Sequence, residues 1–232
     1  MVGLLEAGCP RELLGVMMEK YLRPTPVIDC DSDSIKEKAH RLIKGQEGDA
    51  DRAKSLFYFV RDGIRYNIYV LSDLLSDYRA SATMARGEGF CIQKAIVLAA
   101  LARAVGIPAR LRFAVIRNPL ASDRVKEILG GDLFVSHGYN ELYIAGKWVK
   151  AAPTFDRKMS QENRLLPVDF DGVNHALLPS HNQDGEPHIE YVLDRGDYDD
   201  LPLDEVINWR MQGYGSDYYT RLKQAVENRN AR

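Results

Sequence analysis

The sequence predicts an α+β fold in which a mainly antiparallel sheet packs against a helix beginning at Cys91. Helical periodicity dominates the first half of the chain, and alternating strand patterns with a tight turn dominate the second. Between them, a glycine-punctuated turn runs directly into an alanine-rich helix. With 232 residues, 45% of them apolar, the chain can bury a substantial core. A single domain over 1–232 is expected: N-terminal helices at 10–45, a core at about 50–156, and a C-terminal loop and helix extension at 157–232.

The first helix is expected from about Pro10 to Leu22, with Leu13, Leu14, Met17, Met18 and Leu22 on its apolar side, and Arg23-Pro24-Thr25-Pro26 breaks it. Asp29-Cys30-Asp31-Ser32-Asp33 superficially copies a calcium loop. The loop's glycine would fall at Ser34 and its closing glutamate at His40, so that reading fails. Ser34 and Glu37 instead form a capping box for a helix to about Lys44. A further helix, about Ala50 to Asp62, carries Ala53, Leu56, Phe57 and Val60 at helical spacing. Arg86-Gly87-Glu88-Gly89-Phe90 turns into the Cys91 helix, which Gly106 and Pro108 terminate after Val105. Strands are expected at 110–115, 136–144 and 147–149, the last two joined by Ala145-Gly146, and at 189–193. A last helix spans about Ser216 to Glu227. The aromatic-rich segment from Trp209 to Tyr219 suits a packing surface, with covering of a groove as its alternative use.

Composition excludes several functional classes. A formal net charge of −2 provides no global field for nucleic acid or an anionic membrane. No apolar run approaches the ~20 residues that span a bilayer. The opening Met1 to Cys9 lacks the basic segment and long apolar run of a signal peptide. Three cysteines without metal-type spacing argue against a disulfide scaffold and suit a reducing cytoplasm. No cofactor is expected.

Cys91 stands where a thiol can do chemistry. The glycines before it permit close approach to the sulfur. The positive end of a helix favours thiolate, and its free N–H groups can hold an oxyanion. An inert, buried cysteine is the competing reading. A thiol nucleophile needs a base. Of the five histidines, His40 sits on a charged helix and His175, His181 and His188 lie in a polar loop, whereas His137 begins a strand. If Ala145-Gly146 is a two-residue turn, Ile144 pairs with Lys147 and Tyr143 with Trp148. Counting back, His137 faces Thr154, with Ala152 and Asp156 as its diagonal neighbours. Asp156 is then either a loop cap or the carboxylate that holds the imidazole.

Three stretches together resemble the transglutaminase-like family of papain-like cysteine enzymes. They are Gly89-Phe90-Cys91-Ile92-Gln93-Lys94-Ala95, then Leu101 to Arg110, and His137 to Tyr143 with Gly146-Lys147-Trp148-Val149. The resemblance covers roughly residues 50 to 156. It implies a papain-like core in which Cys91 attacks an amide or ester carbonyl to form a thioester and His137 serves as base and then acid. The family's aspartate position falls on Ala152, for which Asp156 is the substitute, and Tyr139 stands where an aromatic tryptophan is common. Peptides or proteins are the expected substrates, with hydrolysis favoured over cross-linking. A catalytically weak peptide-binding module is the alternative. A metal site on His175, His181 and His188 with Asp184 or Glu186 fits no helical ligand spacing and is disfavoured. Ser81, Thr83 and Arg86 are left open as oxyanion donors.

Overall fold

The structure is a computed structural model that describes residues 18–70, 72 and 74–230. Most of the helix expected at 10–22 lies outside these residues. Helix α1, Asp33–Leu42, starts one residue before the expected capping box. Ser32, in extended conformation, is its N-cap, so Ser34 already lies in the first turn. Helix α2, Asp49–Gly63, matches its periodicity and buries Ala53, Leu56, Phe57 and Val60. The short strand β1, Arg65–Tyr66, leaves it and pairs in parallel with β2, Glu88–Gly89. Helix α3, Ala80–Arg86, lies between them and ends at Gly87 in the left-handed region.

Helix α4, Cys91–Ala104, is the centre of the molecule. Every residue of it from Ile92 to Arg103 is buried. A helix that is apolar nearly all round needs cover on all sides, and α1, α2 and α3 supply it opposite the sheet. Lys94 is the informative exception. Its ammonium donates to the carbonyls of Arg61, at 2.9 Å, and Ile64, at 2.7 Å, and so meets the negative end of α2. Burial nevertheless pushes Lys94 down to about 7.

The four-stranded sheet has the order β5-β4-β3-β6 and is antiparallel throughout. Its strands are β3, Ala109–Arg117; β4, Leu133–Ile144; β5, Lys147–Ala151; and β6, Glu190–Tyr198. Ala145 and Gly146 both take positive φ, the geometry of a two-residue hairpin turn, and Ile144 pairs with Lys147 and Tyr143 with Trp148. β6 runs five residues beyond its apolar pattern because it is an edge strand. Its Asp194 and Asp197 pair with Arg112 and Arg110 of β3.

Four helices complete the fold: α5, Asp123–Leu129; α6, Arg157–Glu162; α7, Leu203–Tyr214; and α8, Tyr218–Asn230. The sequence reading contains no α5, α6 or α7, and the helix it expects at 216–227 is α8. Leu129, Val135, Tyr214, Tyr218 and Leu222 form a second, smaller apolar cluster that fastens α5, α7 and α8 to the start of β4. Among the described residues, no helix is long and apolar enough to cross a membrane.

The Lys94 contact yields a stability prediction. Lys94→Met leaves two buried carbonyls without their charged donor and should cost about 3 kcal/mol, since hydrogen bonds to charged groups are worth ~1.5–3 kcal/mol each. Urea unfolding measures it; a loss below about 1 kcal/mol would show that this contact does not anchor α4.

Candidate active site

The site begins with a close approach of two backbones. A Cβ added to Gly138 of β4 would stand 2.9 Å from Ile92 Cγ1 and 3.1 Å from Ile92 Cα. Only glycine lets the first turn of α4 lie this near the strand. Asn140, two residues on, donates its side-chain amide to the Ala95 carbonyl at 2.9 Å and fixes the next turn. Cys91 and His137, each one residue before this contact, line one cavity. The Gly138 backbone N–H favours the charged form of the Cys91 sulfur.

The cavity is closed from above by the C-terminal helices. Arg210 and Tyr214 of α7 and Tyr218 of α8 line it, together with Ser136 and Phe90. At Gly213 an added Cβ would lie 2.5 Å from Val135 Cγ1, so α7 rests directly on β4. The Tyr214 hydroxyl accepts the Val135 N–H at 2.9 Å. About 30 Å³ remains open, room for water but not for a peptide. An adjoining pocket of about 360 Å³ shares Tyr66, Ile68 and Phe134 with it and extends to Phe155 and His188.

Burial dominates the electrostatics. It pushes the Cys91 thiol up, against opposing pulls from the Gly138 N–H, Arg210 and the helix's own N–H groups. The lowered thiol pKa expected from the helix terminus is therefore not reached, because desolvation outweighs it. Burial likewise pushes His137 down from its ordinary 6.5 to about 3, and its Nε2 has no hydrogen-bond partner. The resting pair is thus neutral thiol and neutral imidazole. Aromatic rings hold the imidazole: Tyr139 stacks on it at 5.9 Å and Tyr191 meets it edge-on at 6.0 Å.

The expected path from His137 to Asp156 runs through the hairpin ladder. The hairpin keeps the expected register through Asn140–Ala151 and then stops. Ala152 N–H turns away to the Ala176 carbonyl at 2.9 Å, and Pro153 has no N–H to extend the ladder. The ladder therefore ends before Asp156, whose carboxylate has other partners. Its Oδ1 accepts the Met159 N–H, capping α6, and its Oδ2 accepts the Tyr66 N–H, each at 2.9 Å. It thereby fixes Tyr66, a wall of the cavity.

The three oxyanion candidates are engaged elsewhere. Ser81 bonds Asp29, Arg86 donates to the Glu88 carbonyl, and Thr83 accepts from Arg86. His175 accepts the Lys150 N–H, His181 lies beside Ser180, and His188 stacks on Phe155. Among the described residues, no three His, Cys, Asp or Glu side chains gather to hold a metal ion. The contribution of Arg210 escaped sequence reading. No local motif marks it, and the aromatic run around it is the available signal.

His188 is 2% exposed, and neither ring nitrogen has a partner. Burial pushes it down from 6.5 to about 4. The unfolded chain takes up a proton near pH 6.5 that the folded chain refuses until about pH 4, so stability falls as pH drops through that window. Acidification from about pH 7 to about pH 4.5 should cost the wild type on the order of 2 kcal/mol more than His188→Leu. Equal losses in urea unfolding would mean that the folded imidazole is already charged.

No curated protein matches the sequence. Among solved structures, a candidate cysteine protease from Cytophaga hutchinsonii is similar at 16% identity and a TM-score of 0.49, covering 83% of this chain and 58% of that one. A candidate protease from Parabacteroides distasonis is similar at 14% identity and a TM-score of 0.38, covering 59% and 25%. A TGase is similar at 15% identity and a TM-score of 0.34, covering 65% and 35%. The chain thus spans less than two thirds of each of these proteins. Residues 36–153, half of the chain, match the sequence profile of the transglutaminase-like superfamily, and the chain belongs to that family.

Proposed function

We propose that the protein is a cysteine acyl-transfer enzyme that cleaves amide bonds of peptides or proteins, with Cys91 as nucleophile and His137 as base. The observation that carries this reading is the shared cavity of Cys91 and His137, created by the contact of Ile92 with Gly138. Because both groups are neutral at rest, the imidazole accepts the thiol proton as the sulfur attacks. The C–S bond forms and the carbonyl electron pair moves to oxygen. When the oxyanion collapses, the C–N bond breaks and His137 returns the proton to the departing amine, leaving a thioester. Water then attacks the thioester, His137 takes its proton, and the thiol is regenerated as the acid leaves.

In this reading water, rather than an amine, is the acceptor of the acyl group. The adjoining 360 Å³ pocket is the place for the acyl side of the substrate. Tyr66, Phe134 and Phe155 form apolar walls there, and His188 is neutral, so an uncharged side chain suits it. Asp156 acts as a positioning residue through Tyr66.

Cys91→Ala should abolish release of nitrophenol from an activated ester of a short neutral peptide while leaving the unfolding curve intact. His137→Ala should lower turnover by about 10²–10⁴-fold, the usual contribution of a positioned base. Turnover that persists in Cys91→Ala would overturn the reading. A peptide-binding module is the second reading, favoured because among the described residues no carboxylate is hydrogen-bonded to His137. It predicts peptide binding with no ester turnover in the wild type.

A further inference from the structure

Arg210 is 1% exposed, and no carboxylate pairs with it among the described residues. Its Nε donates to Ser136 Oγ and its Nη1 to the Tyr78 hydroxyl, each at 3.2 Å, and its guanidinium lies 5.6 Å from the centre of the Phe90 ring. Neutral oxygens and a ring face do not neutralise a cation. A buried charge with no opposite charge is costly, and an arginine cannot relieve the cost by losing its proton. Among the described residues lining the cavity it faces, the Cys91 sulfur is the group suited to supply the missing anion.

We propose that Arg210 is a catalytic residue, the counter-ion of the Cys91 thiolate and of the oxyanion that inherits its charge. The inference rests on the nucleophile reading above and assigns to α7 what an imidazolium held by a carboxylate would otherwise supply. When His137 takes the thiol proton, the negative charge left on sulfur faces Arg210. As the C–S bond forms, that charge passes to the carbonyl oxygen, and it returns to sulfur when the thioester is hydrolysed. No charge is created or lost at Arg210, which keeps its protons throughout.

The other titratable groups around Cys91 do not compete for this role. They are Tyr66 of β1, His137 of β4, Tyr191 of β6, Tyr214 of α7 and Tyr218 of α8. Burial raises all four tyrosines, keeping them protonated and neutral, and burial keeps His137 neutral. Among the described residues that line the cavity, Arg210 is the one permanent charge. Ser136 and Tyr78 hold the guanidinium from the side, so it meets the anion without rearranging.

The test is the pH dependence of iodoacetamide alkylation at Cys91, followed by peptide mass, in full-length protein. Removal of a close opposite charge shifts a pKa by ~1–3 units, so Arg210→Gln should slow alkylation at about pH 8 by about tenfold or more and move the profile upward. Arg210→Lys should recover much of the rate, which a purely structural role would not predict. His137→Ala should lose turnover but keep the wild-type alkylation profile, and this measurement does not depend on Arg210→Gln folding. Unchanged alkylation in Arg210→Gln, or a fall in His137→Ala as large as that expected for Arg210→Gln, would overturn the proposal and leave Cys91 as nucleophile. A wild-type Cys91 that takes no acyl group from a nitrophenyl ester would remove the nucleophile reading and this inference together.

Discussion

The contact between Ile92 and Gly138 is the constraint on which the candidate site depends. A helix packed on a sheet normally stands off by the length of the intervening side chains. Here one strand residue has no side chain, so the backbone of α4 nearly touches β4 at its first turn. That places the helix's first residue beside the strand residue preceding the glycine. The rest of the core serves this approach. Lys94 ties the next turn to the end of α2, and Asn140 ties β4 to the Ala95 carbonyl. With helices on one side and the sheet on the other, α4 has no free face along which to shift.

The charge arrangement around the site departs from a thiol–imidazole–carboxylate chain. The Glu141 carboxylate of β4 is bound up with Arg110 and Arg112 of the neighbouring strand β3. Asp156 caps a helix and pins a strand. The imidazole is held instead by tyrosine rings, and positive charge enters from a helix folded over the cavity. The same burial that makes these contacts strong also keeps the thiol and the imidazole neutral at rest.

Much of this was legible in the sequence where the signal is local. The glycine turn into Cys91, the two-residue turn at Ala145-Gly146 and the first five pairs of the hairpin follow from φ preferences and alternation. The register failed at Ala152 because a partner 24 residues later, Ala176, captured its backbone. Counting along two strands cannot anticipate a third segment. Helix α7 was missed because its apolar residues meet two different surfaces, the sheet through Trp209 and the small cluster through Tyr214, so no clean stripe forms. Arg210 was invisible for the related reason that a lone arginine on a helix usually faces solvent. Its burial is a property of how α7 sits, not of its neighbours in sequence.

The most direct test of the account is intact-mass and peptide-mass analysis after brief exposure to a nitrophenyl ester of a short neutral peptide, quenched in acid. The account predicts one acyl group, located on Cys91 and released by hydroxylamine as a thioester is. An acyl group found on Cys9 or Cys30 instead, or none on any cysteine while nitrophenol is released, would contradict it.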